Sequence, residues 1–308
     1  MTQGLQARAA AEYGRAARAA AGRVIAQYST SFGLSTRLLR EPVRSRVRCI
    51  YALVRVADEI VDGAAAGHGA TTAQIARHLE DYEQRTEAAM SSGFSSDLVI
   101  HAFADTARRC GISTELTRPF FASMRADLEI SVHDEESFAQ YVDGSAEVVG
   151  LMCLRVFATD HSDVAVAPDP ELVEGARRLG AAFQKVNFLR DLRDDAEGRG
   201  RAYFPGLEAG GPTEAQKTAL VEDIERDLAS AQQVIGLLPA SSRAAVQAAH
   251  DLFAELASRL RATPAAQLGA RRVRVPAPRK AVLAARAAWA GAPLRGDGER
   301  VRRREGER

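Results

Sequence analysis

The chain has 308 residues, of which 46% are apolar and 26% are charged, as is usual for a soluble globular protein. Its formal net charge of +1 excludes a global field that would gather nucleic acid or an anionic membrane, so any anion binding must be local. The three cysteines, Cys49, Cys110 and Cys153, are far apart and fit neither a disulfide framework nor a CxxC metal site. We therefore expect a protein of the reducing cytoplasm.

Neither export nor membrane insertion is expected from the apolar segments. The first 23 residues carry arginines but lack the continuous apolar core of a signal peptide. The longest apolar stretch, residues 148–158, contains Arg155 and is far shorter than the roughly 20 residues that a spanning helix needs. The sequence predicts a protein that is soluble or only peripherally bound to a membrane.

The Ala-rich, aromatic-poor sequence favours helix throughout, so we predict an all-α fold. In chain order, helical patterns cover residues 7–28, 42–63, 73–89, 97–109, 119–130, 136–158, 170–194, 214–238, 241–261 and 277–290. The segments GAAAGHGATT and EGRGRAYFPGLEAGGPT are predicted loops, and no segment alternates like a strand. We predict one helical domain over residues 1–290 and a disordered charged tail over residues 291–308.

An aspartate pair lies at the end of the helix predicted over residues 42–63. Asp58 and Asp62 are four residues apart, which places both carboxylates on one helix face. Such a like-charge pair costs a helix roughly 0.2–0.5 kcal/mol unless something neutralises it. Mg²⁺ is a suitable partner because it takes one or two protein carboxylates and completes its shell with water and phosphate oxygens. Taken alone, the pair is more typical of a solvated helix face than of a metal site.

A second stripe of oxygen ligands strengthens the metal interpretation. Asn187, Asp191 and Asp195 follow one another at intervals of four residues and share one helix face. Two such stripes can face each other across a helix-bundle cavity and hold a metal–diphosphate group.

Basic and hydroxyl groups accompany the aspartates. Arg55 lies on the face of Asp58, and Ser29 and Ser31 precede a helix, where hydroxyl and N–H groups can hold phosphate. For the serines alone, an ordinary helix N-cap is the simpler interpretation.

Several strings together resemble the phytoene/squalene synthase family, and they occur in the order expected of it. The resemblance spans residues 28–205 and is carried by YSTSFGLSTRLL, YALVRVADEIVDG, MRADLE, YVDGSAEVVGLM and QKVNFLRDLRDDAEGRGRAYFP, with RRVRVP further on. It implies a single-domain helical bundle of the isoprenoid synthase type with a central cavity. One departure is Phe253, where many relatives carry a tyrosine.

The resemblance also implies roles for individual residues. The metal ligands would be Asp58, Asp62, Asn187, Asp191 and Asp195. Groups that hold diphosphate oxygens would be Ser29, Ser31, Arg55 and Arg272. Gln184 would line the site, Tyr141 would face the reacting centre, and Ala146, Val149 and Gly150 would border the prenyl-chain tunnel. For the small residues, close helix packing is an equally good interpretation.

The implied activity is that of a phytoene synthase, which condenses two geranylgeranyl diphosphates head to head through a cyclopropylcarbinyl (prephytoene) diphosphate, in carotenoid biosynthesis. Mg²⁺ is the expected metal, with Mn²⁺ as a substitute, and NADPH is not expected. A squalene or dehydrosqualene synthase that uses farnesyl diphosphate is the main alternative. The motifs fix neither chain length nor oligomeric state, and peripheral membrane contact would serve product release.

Three alternatives of other classes are weaker. A non-catalytic family member would be expected to have lost the aspartates, and they are present. A terpene cyclase generally carries a differently spaced second motif. Nucleic-acid binding would rest on the arginine tail alone, and deletion of residues 291–308 would test it.

Overall fold

The computed structural model describes residues 2–29, 31–193, 201–207, 211–268 and 272–290. Within these residues the fold is all-helical, as predicted, and its only bridge between extended segments joins Val132 to Ala202 in parallel. The helices are α1 (Thr2–Tyr28), α2 (Ser31–Thr36), α3 (Val43–Val61), α4 (Ala64–Gly67), α5 (Thr72–Ser92), α6 (Leu98–Cys110), α7 (Thr114–Glu129), α8 (Glu135–Val142), α9 (Val148–Ala158), α10 (Pro170–Arg193), α11 (Glu214–Ile235), α12 (Ala240–Ala262), α13 (Ala265–Leu268) and α14 (Ala277–Ala290). The tail 291–308 lies outside the described residues.

Side-chain caps fix several helix starts. Thr71 begins α5 and Thr213 begins α11, each in a capping box with a glutamine three residues later. Asp97 caps α6 by accepting hydrogen bonds from two backbone N–H groups. These are local signals, and the predicted starts of these three helices agree with the structure to within one residue.

Other boundaries differ from the sequence prediction. Helix α7 begins at Thr114 rather than at Pro119, and the proline lies inside the helix. An interior proline removes one hydrogen bond and crowds the preceding turn. Burial of Phe120 and Phe121 against the core offsets that cost. The segments predicted as breaks around YSTSFG and GAAAGHGATT each contain a short helix, α2 and α4.

The helix predicted over residues 136–158 is interrupted by a π-helical turn, Asp143–Glu147, between α8 and α9. The turn lies against α7, where a Cβ on Gly144 would collide with the carbonyl of Pro119 and the hydroxyl of Ser123. Only glycine allows this approach. Single π turns inside α-helices often mark functional sites.

Three groups of buried apolar residues form the core. The largest involves α3, α5, α6, α7 and α9, the second involves α10, α11 and α12 with Tyr141 and Tyr203, and the smallest joins α1 to α3 and α6. Helix α10 packs along α11 and also contacts α9 and the π turn.

In the described part of the chain, no helix is both long enough and apolar enough to cross a membrane.

Candidate active site

An apolar cavity of about 240 Å³ lies among α2, α3, α9, α10, α11 and α12. On α10 its lining runs from Leu172 to Phe183, which are eleven residues apart. On the π turn and α9 it runs from Ser145 to Phe157, a similar distance. At a helical rise of about 1.5 Å per residue, both walls are roughly 16–18 Å long.

Small residues make this cavity possible. Ala146, Val149 and Gly150 all lie in its wall, beside Ala176 and Gly180 of α10. A Cβ on Gly150 would lie 2.7 Å from the carbonyl oxygen of Ala176, and one on Gly180 would lie 2.6 Å from that of Ala146. The glycines therefore serve both interpretations of the sequence, since they pack two helices closely and line the cavity.

The first aspartate motif lies at the carboxyl end of α3. Asp58 pairs with Arg55 at 3.8 Å, and the guanidinium of Arg55 lies 4.6 Å from the centre of the Tyr28 ring and also bonds to Glu59. Ser29 accepts a hydrogen bond from the N–H of Gly33, so it does act as a cap for α2.

Ser29 also contacts this motif through a tyrosine. It hydrogen-bonds to the phenol of Tyr51, whose pKa is raised by burial. The structure thus brings Ser29, Arg55 and Asp58 together. The side chain of Ser31 lies outside the described part.

Arg201, from the loop that follows α10, reaches the second aspartate of this motif. Its Nη1 donates to Asp62 Oδ1 at 2.8 Å and also lies 3.3 Å from Asp127 Oδ1. A backbone bridge holds the loop in place, because the N–H of Ala202 donates to the carbonyl of Ser131 at 2.7 Å. The predicted loop therefore contributes a cation to the site.

The second motif lies on the last two turns of α10. Gln184 and Asn187 are half-buried there, and Asp191 pairs with Arg190 at 2.6 Å and with Arg272 at 2.7 Å. Burial alone would raise the pKa of Asp191, but the two guanidinium groups lower it below its ordinary value, so the carboxylate is charged. Asp195 lies outside the described residues.

A buried polar network adjoins the first motif through Arg201. Tyr141 donates to Asp127 Oδ2 at 2.8 Å, and Tyr203 donates to Asp127 Oδ1 at 2.9 Å. Burial raises the pKa of Asp127 to about 6 against the opposing charge of Arg201. Burial together with Asp127 raises the pKa of the Tyr141 phenol well above its ordinary value, so the phenol keeps its proton.

Sequence reasoning gave no role to Asp127, Arg201 or Tyr203. A signal for Asp127 was present, because it follows Phe120 by seven residues and Met124 by three on the buried face of α7. A carboxylate on an apolar helix face requires partners. Arg201 and Tyr203 lie in the last of the strings that carry the family resemblance, but nothing in the sequence indicates their contacts, because these depend on how the loop folds back.

A divalent metal fits the carboxylates. Asp58, Asp62 and Asp191 are partly exposed, with side-chain exposures of 31%, 27% and 17%. Among the described residues, no three His, Cys, Asp or Glu side chains converge on one point. Mg²⁺ needs only one or two protein carboxylates when phosphate oxygens and water supply the rest.

Phe253, the departure found in the sequence, packs beside the cavity lining. Its ring stacks on Phe183, with centroids 3.8 Å apart and planes 21° from parallel. Phe183 lines the cavity at the end nearer to Asp191 along α10. Phe253 therefore extends the apolar wall by supporting Phe183.

Curated phytoene synthases are similar in sequence to this chain. Phytoene synthase 1 of Arabidopsis thaliana is 34% identical over 188 residues, 60% of this chain and 42% of that protein. Phytoene synthase of Arthrospira platensis is 33% identical over 188 residues, 59% of each chain. The chain thus spans about half the length of the curated relatives it matches.

Solved structures show the same fold. A dehydrosqualene synthase in complex with ligand superposes with a TM-score of 0.75 at 21% identity, over 91% of this chain and 97% of that one. A squalene synthase from Alicyclobacillus acidocaldarius gives 0.68 at 16% identity, over 81% and 94%. The fold is therefore the all-helical isoprenoid synthase type. A family model described as squalene/phytoene synthase matches residues 25–279, and the chain belongs to that family.

Proposed function

We propose that the protein is a Mg²⁺-dependent phytoene synthase, which joins two geranylgeranyl diphosphates head to head and releases diphosphate, in carotenoid biosynthesis. The observation that carries the proposal is the combination of two aspartate motifs with a deep apolar cavity. Both motifs follow, along α3 and α10, residues that line the cavity, Val47 and Phe183. The curated relatives named phytoene synthase support the choice within the family.

The length of the cavity supports a C20 substrate. Four carbon–carbon bonds of about 1.5 Å, in a zigzag, make each isoprene unit roughly 5 Å long. With the first unit beside the diphosphate, the remaining three units of a geranylgeranyl chain need about 15 Å. The remaining two units of a farnesyl chain need about 10 Å. The walls of roughly 16–18 Å match the longer chain.

The polar residues would bind the diphosphate end. Asp58, Asp62, Asn187, Asp191 and Asp195 would hold the metal. When bound, the metal would neutralise the diphosphate and assist its departure as a Lewis acid. The residues that would bind diphosphate oxygens are Ser29, Ser31, Arg55 and Arg272, with Gln184 beside them.

The apolar residues would protect the reaction from water. Departure of diphosphate leaves an allylic cation, which the double bond of the second substrate attacks. The new cation then loses a proton as the three-membered ring closes, which gives a cyclopropylcarbinyl diphosphate. Ionisation and rearrangement of this intermediate, followed by loss of a proton, give the conjugated triene. Ala146, Val149 and Gly150 keep the wall apolar, and Tyr141 would face the reacting centre. Because the last step loses a proton rather than gaining hydride, NADPH has no part in it.

Product identification tests the proposal. The purified protein is incubated with Mg²⁺, or Mn²⁺, and with geranylgeranyl or farnesyl diphosphate, with and without NADPH. We expect phytoene from the C20 substrate without NADPH, and none from Asp58→Asn. Squalene or dehydrosqualene from the C15 substrate alone would assign the alternative activity, and no product from either would refute an enzymatic role.

We also propose that the protein is cytoplasmic and touches a membrane through α14, because its product would be a water-insoluble hydrocarbon. Arg279, Val282, Arg286 and Trp289 are exposed and share one face of α14, with Trp289 87% exposed. Arginine with tryptophan on one face is typical of helices that lie on anionic lipid surfaces. Helix α14 packs on α12 and touches α2, both of which line the cavity.

Vesicle sedimentation tests this surface. Vesicles of phosphatidylglycerol and phosphatidylcholine should bring down the wild-type protein, and Trp289→Ala should reduce the bound fraction severalfold. Phe94→Ala, which removes another exposed aromatic ring far along the chain, serves as the control and should bind like wild type. Equal binding by Trp289→Ala and wild type would exclude α14 as the contact.

A further inference from the structure

Asp127 is the centre of the buried network and has three partners. Its two carboxylate oxygens accept the hydroxyl protons of Tyr141 and Tyr203, and Arg201 lies 3.3 Å from Oδ1. The Asp127 side chain is only 4% exposed, and both tyrosines are buried. Because each phenol has a single proton, both hydroxyl groups are committed to this carboxylate as donors.

The rings around the carboxylate are held in place by packing. Tyr203 stacks on Phe188 of α10 with centroids 4.0 Å apart, and Tyr141 lies 5.1 Å from Tyr203. His133 stacks on Tyr203 at 5.6 Å and meets Tyr141 edge to face at 5.2 Å. Among the described residues, the polar contacts of both phenols converge on Asp127 and Arg201.

This network contacts the diphosphate end of the candidate site and is close along the chain to a residue that lines the prenyl cavity. Arg201 connects it to Asp62 at 2.8 Å. Tyr141 is one helical turn from Ser145, which lines the cavity. The position between an aspartate motif and an apolar chain cavity is where the reacting allylic carbons of a prenyl diphosphate would lie.

A phenol that donates to a carboxylate has a more electron-rich oxygen and ring than a free phenol, because hydrogen bonds polarise one another in a low-dielectric interior. An electron-rich ring or oxygen stabilises a nearby cation. We propose that Asp127 is a positioning residue, which acts on the reaction by orienting and polarising Tyr141 towards the cations formed in the site. This inference rests on the proposed function, and it extends the site to a residue outside the two aspartate motifs.

The experiment compares wild type, Asp127→Asn, Tyr141→Phe and the double variant in steady-state turnover of geranylgeranyl diphosphate. Asparagine keeps the size of the side chain but offers one acceptor oxygen in place of two charged ones. The matched control is Asp227→Asn, because Asp227 is equally buried and pairs with Lys185 and Arg178, away from the cavity lining. We expect Asp127→Asn and Tyr141→Phe each to lower kcat by about 10²-fold with little change in KM, and Asp227→Asn to leave kcat per folded molecule near that of wild type.

The double variant distinguishes positioning from an independent role. If Asp127 acts through Tyr141, the double variant is no slower than the slower single variant, because both substitutions remove the same interaction. Losses that multiply, or an Asp127→Asn variant with normal kcat, would overturn the proposal. If Asp127→Asn does not fold, Asp127→Glu replaces it. That variant keeps the charge but moves the oxygens by about 1.5 Å, so positioning predicts a loss of about tenfold in kcat and a pure charge effect predicts none.

A second readout does not depend on turnover. The chain has six tyrosines, so the ¹³C signals of their ring carbons that carry the hydroxyl group can be followed individually by NMR. Two of them should shift in Asp127→Asn, and neither of these two should shift in Asp227→Asn. If wild type makes no hydrocarbon, the proposed function fails while this measurement still tests the arrangement, and unshifted signals in Asp127→Asn would overturn it.

Discussion

Replacing Ala176 by phenylalanine should shorten the substrate that the cavity accepts. Ala176 lies in the wall on α10, seven residues before Phe183. Along the helix axis this is about 10 Å, which is the depth that the last two units of a farnesyl chain need. A phenylalanine at this position would fill the deeper part of the cavity, down to Leu172, and leave the shallower part unchanged.

The size of the effect follows from the buried chain. A geranylgeranyl chain has five more carbons than a farnesyl chain, and burial of each contributes about 0.8 kcal/mol, or about 4 kcal/mol in total. That corresponds to a preference of roughly 10³-fold for the C20 substrate when the whole cavity is available. The Ala176→Phe variant should lose most of this preference, because the last isoprene unit has no space to bury.

Competition between the two substrates measures the shift directly. Equal concentrations of geranylgeranyl and farnesyl diphosphate are supplied together, and the C40 and C30 hydrocarbons are separated by mass. Ala88→Phe, which adds the same ring at an exposed position of α5, is the control and should keep the wild-type ratio. A folded Ala176→Phe variant with an unchanged ratio would show that this cavity does not hold the prenyl chain.

Three further variants test other parts of the site. Gly180→Ala should lower the free energy of unfolding by about 1–3 kcal/mol in thermal unfolding, because its Cβ would meet a carbonyl of the π turn. Gly22→Ala is the control, because the space around Gly22 is open, and it should stabilise α1 by about 1 kcal/mol. Arg272→Ala should raise KM by about tenfold and Arg279→Ala should not, although both side chains are 44% exposed and both pair with a carboxylate. Because the folded-state pKa of Asp127 is raised to about 6, stability should fall by about 3 kcal/mol between pH 4 and pH 6, and Asp127→Asn should remove this fall in urea unfolding.

Helices with strong periodicity and local caps could be predicted from the sequence, and so could the aspartate face of α3. Asp58 and Asp62 lie one turn apart because a helix places residues i and i+4 on one face whatever the rest of the chain does. The same local rule placed Asn187 and Asp191 on α10. These predictions needed no knowledge of packing.

What could not be predicted depends on contacts between distant segments. The π turn exists where Gly144 meets Pro119 of α7, and no periodicity within residues 136–158 indicates that contact. Arg201 reaches Asp62 across 139 positions in the sequence, after its loop has joined the end of α7 through Ala202. Loops of this kind have no apolar period, so their side-chain partners become visible only in the folded structure.

A crystal structure with Mg²⁺ and an unreactive thiodiphosphate analogue of the C20 substrate would test the account most directly. We predict that the prenyl chain lies along α10 from Phe183 towards Leu172. The diphosphate should lie between Asp58 and Asp62 on one side and Asp191 on the other. A chain that lies outside this cavity, or a diphosphate that touches neither aspartate motif, would contradict the proposed site and the reaction assigned to it.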